Sequence, residues 1–414
     1  MDSLKKLWRS IGPGFITGAS DDDPSGIATY VIAGARFGLN MLWTALFALP
    51  FMIVIQEMSG RIGLATGKGL IRNMRHHYPR LILVVITLLI VITNIINIGA
   101  DLSGMAAAFH LIAPAFPQAL FSLLIAIILL LLLIFFSYRK IASYLKWIAL
   151  VLVSYILASF LVHQDWPEVL RATIIPHIEF SKRYLTILVA VLGTTISPYL
   201  FVWQTSEEIE NERMIHHGRP SALYRGNEIK SMNRDTAFGM FFSNLITYFI
   251  IALSSATLFS HGMINVTTID QIASVLKPLA GPYSTQLFLV GILASGLLAI
   301  PVLAGSAAYA LAELFGWREG MNKKFGKAPQ FYLIIALATF AGLALPALGI
   351  DPVQALLYTA IALGFLSPIL IALILHMANN KKIMGTFTNG VISNTMGIIL
   401  LLFMLASVSA LIFL

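Results

Sequence analysis

The sequence predicts an all-α integral membrane protein whose first and sixth spanning helices are interrupted. Of its 414 residues, 58% are hydrophobic and only 11% are charged. That is too little charge to cover the surface of a soluble domain. Eleven segments are apolar enough and long enough to cross the hydrocarbon core, which takes about 20 helical residues. The first and the sixth contain a proline within a polar stretch, at Asp23-Pro24 and at Ser197-Pro198, and proline interrupts a helix.

The eleven predicted spans form a single transmembrane domain over residues 1–414. They cover residues 11–37, 40–63, 81–112, 118–136, 141–163, 184–209, 233–258, 284–314, 330–350, 352–377 and 388–413. The grouping predicts a first repeat over 11–163, a second over 184–377 and an extra helix over 388–413. The longest polar segment is interpreted as a loop. Its first acids are predicted to form a solvated helix end: Glu207, Glu208, Glu210 and Glu212.

The basic residues predict the orientation. With the N-terminus inside, 22 of the 27 Lys and Arg residues fall in inner segments, and the C-terminus lies outside the cell membrane. The net charge of +8 is spread over short loops, which indicates membrane orientation rather than nucleic-acid binding. The first ten residues are not followed by the short apolar core of a cleaved signal peptide. The chain has no cysteine, which excludes disulfides and thiolate metal sites.

Three consecutive aspartates, Asp21, Asp22 and Asp23, stand at the first interruption. Carboxylates within a membrane are costly and indicate a functional site. An interrupted helix that carries anionic oxygens is typical of a buried cation site. Asp23, directly at the break, is predicted to be the inner ligand. Asp21 and Asp22 either line a water-filled approach, or one of them is protonated.

The sixth span is interrupted around Thr194 to Tyr199. The two interrupted spans are the first members of two successive groups of five, and this pairing favours an inverted-repeat transporter with a central site. For the sixth span alone, a simple proline kink is an equal alternative. A kink does not explain the three aspartates of the first span.

These residues together resemble the Nramp family of divalent-metal transporters, and the resemblance covers nearly the whole chain in order. It is carried by Gly12-Pro13-Gly14-Phe15, Asp23-Pro24-Ser25-Gly26, Thr66-Gly67-Lys68-Gly69-Leu70, His77-Tyr78-Pro79-Arg80, Ala100-Asp101-Leu102, Gly193 to Tyr199, Ala294-Ser295-Gly296 and Met384-Gly385. The resemblance implies a LeuT-type fold of two inverted five-helix repeats with an added helix. It also implies a metal site at the two breaks.

In that family the ion is held by an Asp and an Asn of the first break, a Met of the sixth helix and nearby carbonyls. Here Asp23 matches the Asp, Gly26 replaces the Asn and Ser197 replaces the Met. By analogy, the carbonyls of Ser20 and Thr194 complete the metal site. Loss of the thioether favours a hard divalent cation, Mg²⁺ or Mn²⁺. In this respect the chain resembles the magnesium-carrying branch related to the Nramps.

The groups that couple transport to protons in the family are mostly replaced. Asp101 on the third span remains, but the Glu position is Gly104, and the histidine positions read Tyr199 and Gln204. The ninth span contains no Arg. Because a proton relay needs several titratable groups within reach of one another, transport with weak or no proton coupling is expected. Asn94 and Asn97 either extend a polar path or hold the bundle together, whereas Asn244 and Thr247 are interpreted as packing residues.

The main alternative is a transporter of a small organic solute on the same fold, with the aspartates facing a cationic group or a coupling Na⁺. No cofactor is predicted. The chain lacks the motifs of metalloproteases and phosphate-binding loops, so an enzyme is not expected. A channel is disfavoured because the chain has paired broken helices rather than a repeated pore loop.

Overall fold

The structure is a computed structural model that describes residues 13–136, 138, 140, 141, 144, 147, 150–215 and 225–414. Within these residues every regular element is helical, and nine helices are long and apolar enough to cross a membrane. The predicted all-α class is therefore confirmed. The predicted basic N-terminus lies outside the described residues.

The helices are numbered in chain order. They are α1 (Pro13–Ala19), α2 (Pro24–Phe37), α3 (Trp43–Thr66), α4 (Leu70–His77), α5 (Arg80–Ile112), α6 (Gln118–Phe135), α7 (Val153–Leu161), α8 (Trp166–Ile174), α9 (Lys182–Thr195), α10 (Pro198–Ile215), α11 (Arg225–Thr257), α12 (Ile269–Ser274), α13 (Lys277–Ala280), α14 (Ser284–Phe315), α15 (Pro329–Gly342), α16 (Ala344–Ala347), α17 (Pro352–Asn379), α18 (Lys381–Met384) and α19 (Val391–Phe413). Short 3₁₀ turns join several of them.

Most predicted spans correspond to one long helix or to two helices separated by a break. The ninth span is divided, because α15 ends at Gly342 and the short α16 follows. The fifth span, 141–163, is described in full only from residue 150, where a 3₁₀ turn leads into α7. The count of eleven spans and the division into repeats therefore remain predictions.

Both predicted interruptions are present. The first span consists of α1 and α2, separated by residues 20–23, and the sixth consists of α9 and α10, separated by Ile196 and Ser197. In each case the second half begins with proline, at Pro24 and Pro198. Proline fits there because a helix does not use the backbone N–H of its first residue, which is the group that proline lacks.

Glycines let the interrupted spans approach their neighbours at backbone distance. A Cβ at Gly18 of α1 would lie 2.3 Å from the carbonyl of Gly239 on α11. A Cβ at Gly193 of α9 would lie 2.3 Å from the backbone nitrogen of Gly364 on α17. The first break is thereby held against the seventh span, and the half-helix α9 against the tenth.

The prediction of a solvated acidic helix end is wrong. Glu207, Glu208 and Glu212 are buried on α10, and the helix continues to Ile215. The carboxylate of Glu210 accepts hydrogen bonds from the Tyr309 hydroxyl and from the backbone nitrogens of residues 321 and 322. Glu210 thereby joins α10 to the loop that follows α14, beside a cavity of about 170 Å³. Pairing with another segment of the chain, rather than solvent, satisfies this charge.

Candidate metal site at the two helix breaks

Asp23 caps the second half of the first span. Its Oδ1 accepts hydrogen bonds from the backbone nitrogen of Gly26 at 2.6 Å and from the Ser25 hydroxyl at 2.8 Å. An aspartate at this position satisfies backbone N–H groups that the helix leaves free. Its Oδ2 accepts a bond from Nδ2 of Asn97 on α5 at 2.9 Å. The carboxylate is buried and is held in one orientation by two elements.

The two predicted carbonyl ligands, those of Ser20 and Thr194, lie at the two breaks. Each is within hydrogen-bond distance of a hydroxyl group. The Tyr199 hydroxyl donates to the carbonyl of Ser20 at 3.0 Å. The Ser197 hydroxyl lies 2.6 Å from the carbonyl of Thr194. A carbonyl oxygen has two lone pairs, so each retains one acceptor position.

Asp21 connects the first break to the sixth helix. Its Oδ1 lies 2.9 Å from the hydroxyl of Ser197. Its Oδ2 lies 3.0 Å from the hydroxyl of Ser243 on α11, which is also 3.2 Å from Oδ1 of Asp22. The structure therefore brings two of the three aspartates against the seventh span, where sequence reasoning placed no site residue.

Gly26 stands where the resemblance implies an asparagine. A Cβ there would lie 3.2 Å from Oδ1 of Asp23 and 3.4 Å from the hydroxyl of Tyr30. The Tyr30 hydroxyl is 3.3 Å from Oγ1 of Thr195 on α9, and its ring is fully buried. Tyr30 thus occupies part of the space beside Gly26, and it is a site residue that sequence reasoning missed. Its spacing from Gly26, one helical turn, is the signal that points to it.

Asp101 and Asn97 lie one turn apart on α5. Asp101 is buried, and neither of its carboxylate oxygens has a hydrogen-bond partner among the described residues. It lies close enough to Asp23 for the two charges to interact. The Oδ1 of Asn97 also lacks a partner within the described part of the chain. The third span therefore presents unused acceptor oxygens near Asp23, and this supports a polar path rather than packing alone.

The remaining asparagines on these spans bind neighbouring helices. Asn94 donates to the carbonyl of Leu303 on α14 at 3.0 Å, and Asn244 lies 3.4 Å from the sulfur of Met52. Both contacts join separate helices, as expected of packing residues. Thr247 behaves differently, because its buried hydroxyl faces Asp22 and has no other hydrogen-bond partner within the described residues.

The chemistry of the site is set by oxygen and by net negative charge. The aspartates at the first break are all buried, and the ion pair between Arg72 and Glu319 lies elsewhere. No group of three or more His, Asp or Glu side chains in the described chain is arranged to hold a metal ion, so other oxygens would have to take part. Carboxylate, hydroxyl and carbonyl oxygens are the ligands that hard cations prefer, and Mg²⁺ commonly keeps several waters.

Paired broken helices with buried acids at one of the two breaks define a membrane transporter with a central site. The family model described as "Natural resistance-associated macrophage protein-like" matches residues 14–414. The chain belongs to this family, Nramp, and the resemblance found in the sequence motifs is confirmed.

Relatives extend over almost the whole chain. The chain is 24% identical over 412 residues to the "Divalent metal cation transporter MntH" of Caldanaerobacter subterraneus subsp. tengcongensis, covering 97% of this chain and 92% of the relative. It is 25% identical over 402 residues to the protein of the same name from Clostridium acetobutylicum, covering 96% and 89%. Both relatives are named as transporters, which agrees with the expectation that the chain is not an enzyme.

Solved structures support the fold. The Eremococcus coleocola manganese transporter, in complex with an aromatic bis-isothiourea substituted compound, superposes with a TM-score of 0.77 at 19% identity, covering 99% of this chain and 88% of that one. The inward-facing structure of Mhp1 gives a TM-score of 0.54 at 14% identity, covering 88% and 76%. The predicted LeuT-type fold is thereby confirmed.

Proposed function

We propose that this protein carries a hard divalent cation, Mg²⁺ or Mn²⁺, across a cell membrane by alternating access. The observation that carries the proposal is a buried group of carboxylate oxygens at the first helix break, facing the hydroxyl of Ser197 at the second and without a basic partner among the described residues. Relatives named as divalent metal cation transporters favour a metal ion over the organic solute considered above.

The proposed ligands are oxygens from both breaks. Asp23 supplies the charge, Ser197 a hydroxyl, and Ser20 and Thr194 their remaining carbonyl lone pairs, with Gly26 leaving its side of the site to Tyr30 and water. Waters retained by the ion fill the other positions, as Mg²⁺ prefers. The hydroxyl at position 197 in place of a thioether supports a hard ion and a likeness to the magnesium-carrying branch.

Transport is proposed to have weak or no proton coupling. A Cβ at Gly104 would lie 3.0 Å from Cδ1 of Leu356, so this position offers an acid little space. Gln204 bonds to Thr17 and Glu208. Asp101 is then the main titratable group of the third span near the site, and Tyr199 is engaged with the carbonyl of Ser20. The membrane potential supplies roughly 2.3 kcal/mol per charge per 100 mV.

Uptake of Mg²⁺ and Mn²⁺ into proteoliposomes, with a potential negative inside, tests the function. We expect concentrative uptake of at least one ion, with little acidification reported by an internal pH dye. Protein-free vesicles are the control. Lack of uptake of both ions by folded protein would refute the cation proposal, and metal-driven acidification lost in Asp101→Asn would refute uncoupled transport. The proposed orientation, with the N-terminus inside, is tested separately by side-specific labelling of the termini.

A further inference from the structure

Two aspartates of the first break share a single hydroxyl on the seventh span. Oγ of Ser243 lies 3.0 Å from Oδ2 of Asp21 and 3.2 Å from Oδ1 of Asp22. A serine hydroxyl carries one proton, so it donates to one of these carboxylates at a time. When both aspartates are ionised, one buried carboxylate oxygen is therefore left facing another oxygen.

The local backbone explains why these groups meet. The contact between Gly18 of α1 and Gly239 of α11 brings the two backbones together, since a Cβ at Gly18 would lie 2.3 Å from the Gly239 carbonyl. Ser243 follows Gly239 by one turn. It therefore faces Asp21 and Asp22, which follow Gly18 along the first span. The pairing is therefore a consequence of helix packing at a fixed contact.

Two further buried oxygens lie at this place. Apart from each other, Oδ2 of Asp22 and Oγ1 of Thr247 have no hydrogen-bond partner among the described residues, and both side chains are about 1% exposed. Thr247 lies one turn after Ser243 on α11, and its hydroxyl lies close enough to Asp22 to donate to the carboxylate. Two ionised carboxylates have up to four oxygens to satisfy, and the hydroxyls of Ser243 and Thr247 supply only two protons, so a positively charged ligand would satisfy the remainder.

We propose that Asp21, Asp22, Ser243 and Thr247 form a second subsite for the divalent cation, separate from Asp23. The inference rests on the proposed function and adds the seventh span to the cation pathway. Two carboxylates match the charge of a divalent ion, and hydroxyls and retained water complete an all-oxygen set suited to a hard cation.

The second subsite is separated from Asp23 by the direction in which the carboxylates face. Oδ2 of Asp23 contacts Asn97 on the third span, whereas Oδ2 of Asp21 and Oδ1 of Asp22 contact Ser243 on the seventh span. Oδ1 of Asp21 contacts Ser197, a proposed ligand of the first subsite, so the two subsites adjoin at this hydroxyl. Two divalent ions so close together repel each other, so the two subsites are occupied in turn. A cation thereby moves between two carboxylate groups without leaving oxygen ligands.

The test uses MnCl₂ titrated calorimetrically into purified full-length protein in detergent. Asp23→Asn removes the charge of the first subsite, so Mn²⁺ that still binds to this variant reports the second. We expect one Mn²⁺ per Asp23→Asn protein. Adding Ser243→Ala or Asp22→Asn is expected to weaken that binding by at least roughly tenfold, the usual effect of losing a ligand or its support.

Ser254→Ala is the matched control. Ser254 is buried on the same helix, but its hydroxyl donates to the carbonyl of Ile250 within that helix. Adding it to Asp23→Asn is expected to leave Mn²⁺ binding unchanged. Equal thermal unfolding midpoints show that each variant is folded.

The outcomes separate this inference from the proposed function. If wild-type protein binds Mn²⁺ but Asp23→Asn does not, there is no second subsite and the cation function stands. If Ser243→Ala and Asp22→Asn bind as tightly as their Asp23→Asn background, the assignment is also overturned. If folded wild-type protein binds neither Mn²⁺ nor Mg²⁺, the proposed function itself fails.

Discussion

Asp23→Asn separates the structural role of this residue from its proposed charge. Asparagine caps helices as well as aspartate, so its Oδ1 still accepts from the backbone of Gly26 and from Ser25. The new Nδ2 faces Asn97, whose Oδ1 has no partner among the described residues and accepts a bond once that amide turns over. The free energy of unfolding is therefore expected to change by less than about 1 kcal/mol.

The charge effect is larger. A unit charge 4 Å from another contributes about 4 kcal/mol at an effective dielectric constant of about 20, and a divalent ion doubles this to about 8 kcal/mol. If three quarters of that is offset by removing the ion from water, about 2 kcal/mol remains, which is roughly a 30-fold effect. We therefore expect uptake at subsaturating metal to fall at least 30-fold in Asp23→Asn.

The assay is initial-rate uptake of Mg²⁺ or Mn²⁺ by proteoliposomes that contain equal amounts of folded protein. Asp23→Ala is the contrasting variant. It removes the cap and leaves the Gly26 nitrogen and the Asn97 amide without acceptors, so it is expected to unfold more easily by roughly 2–5 kcal/mol. If folded Asp23→Asn took up metal at the wild-type rate, the reasoning would be refuted, because the charge of Asp23 would then be unnecessary for transport.

Three further perturbations test separate parts of the account. Asp101→Asn is expected to retain most metal uptake, because transport does not depend on a proton relay; a complete loss in folded protein would contradict this. Gly18→Val places a branched side chain against the seventh-span backbone, where even a Cβ would lie 2.3 Å from a carbonyl, and it is expected to lower the unfolding midpoint and abolish uptake; wild-type values for both would contradict the close contact. Burial and the nearby Glu313 raise the pKa of Glu319 to about 8, although its Oε1 lies 2.8 Å from Nη2 of Arg72. The folded state then binds a proton that the unfolded state has released, so the free energy of unfolding should fall as the pH rises from about 4.5 to 8. Glu319→Gln should flatten this fall when thermal unfolding is measured at several pH values. An unchanged pH dependence in the variant would contradict the raised pKa of Glu319.

The sequence was sufficient to predict the breaks and the residues that meet there. Proline after Asp23 and after Ser197 interrupts the helices for local reasons, and the structure shows both interruptions. The contact of Asp21 with Ser197 follows once the two breaks face each other. Local chemistry and the resemblance together therefore lead to the two breaks, and the assignment of their residues to a metal remains a prediction.

Residues supplied by other helices could not be predicted in this way. Ser243 meets Asp21 and Asp22 because Gly18 and Gly239 touch, and the sequence does not reveal which of the chain's glycines form such contacts. The run of acids that begins at Glu207 predicts a solvated helix end. That prediction fails because the loop that binds Glu210 is distant in sequence. Long-range packing, rather than local preference, decides both cases.

The most direct measurement of the central claim is anomalous X-ray scattering from crystals soaked in Mn²⁺. The account predicts an ordered metal between the two broken helices, within bonding distance of Asp23 or of the Asp21–Asp22 pair. Metal found only at surface residues, with these carboxylates hydrogen-bonded solely to protein groups at saturating Mn²⁺, would contradict it.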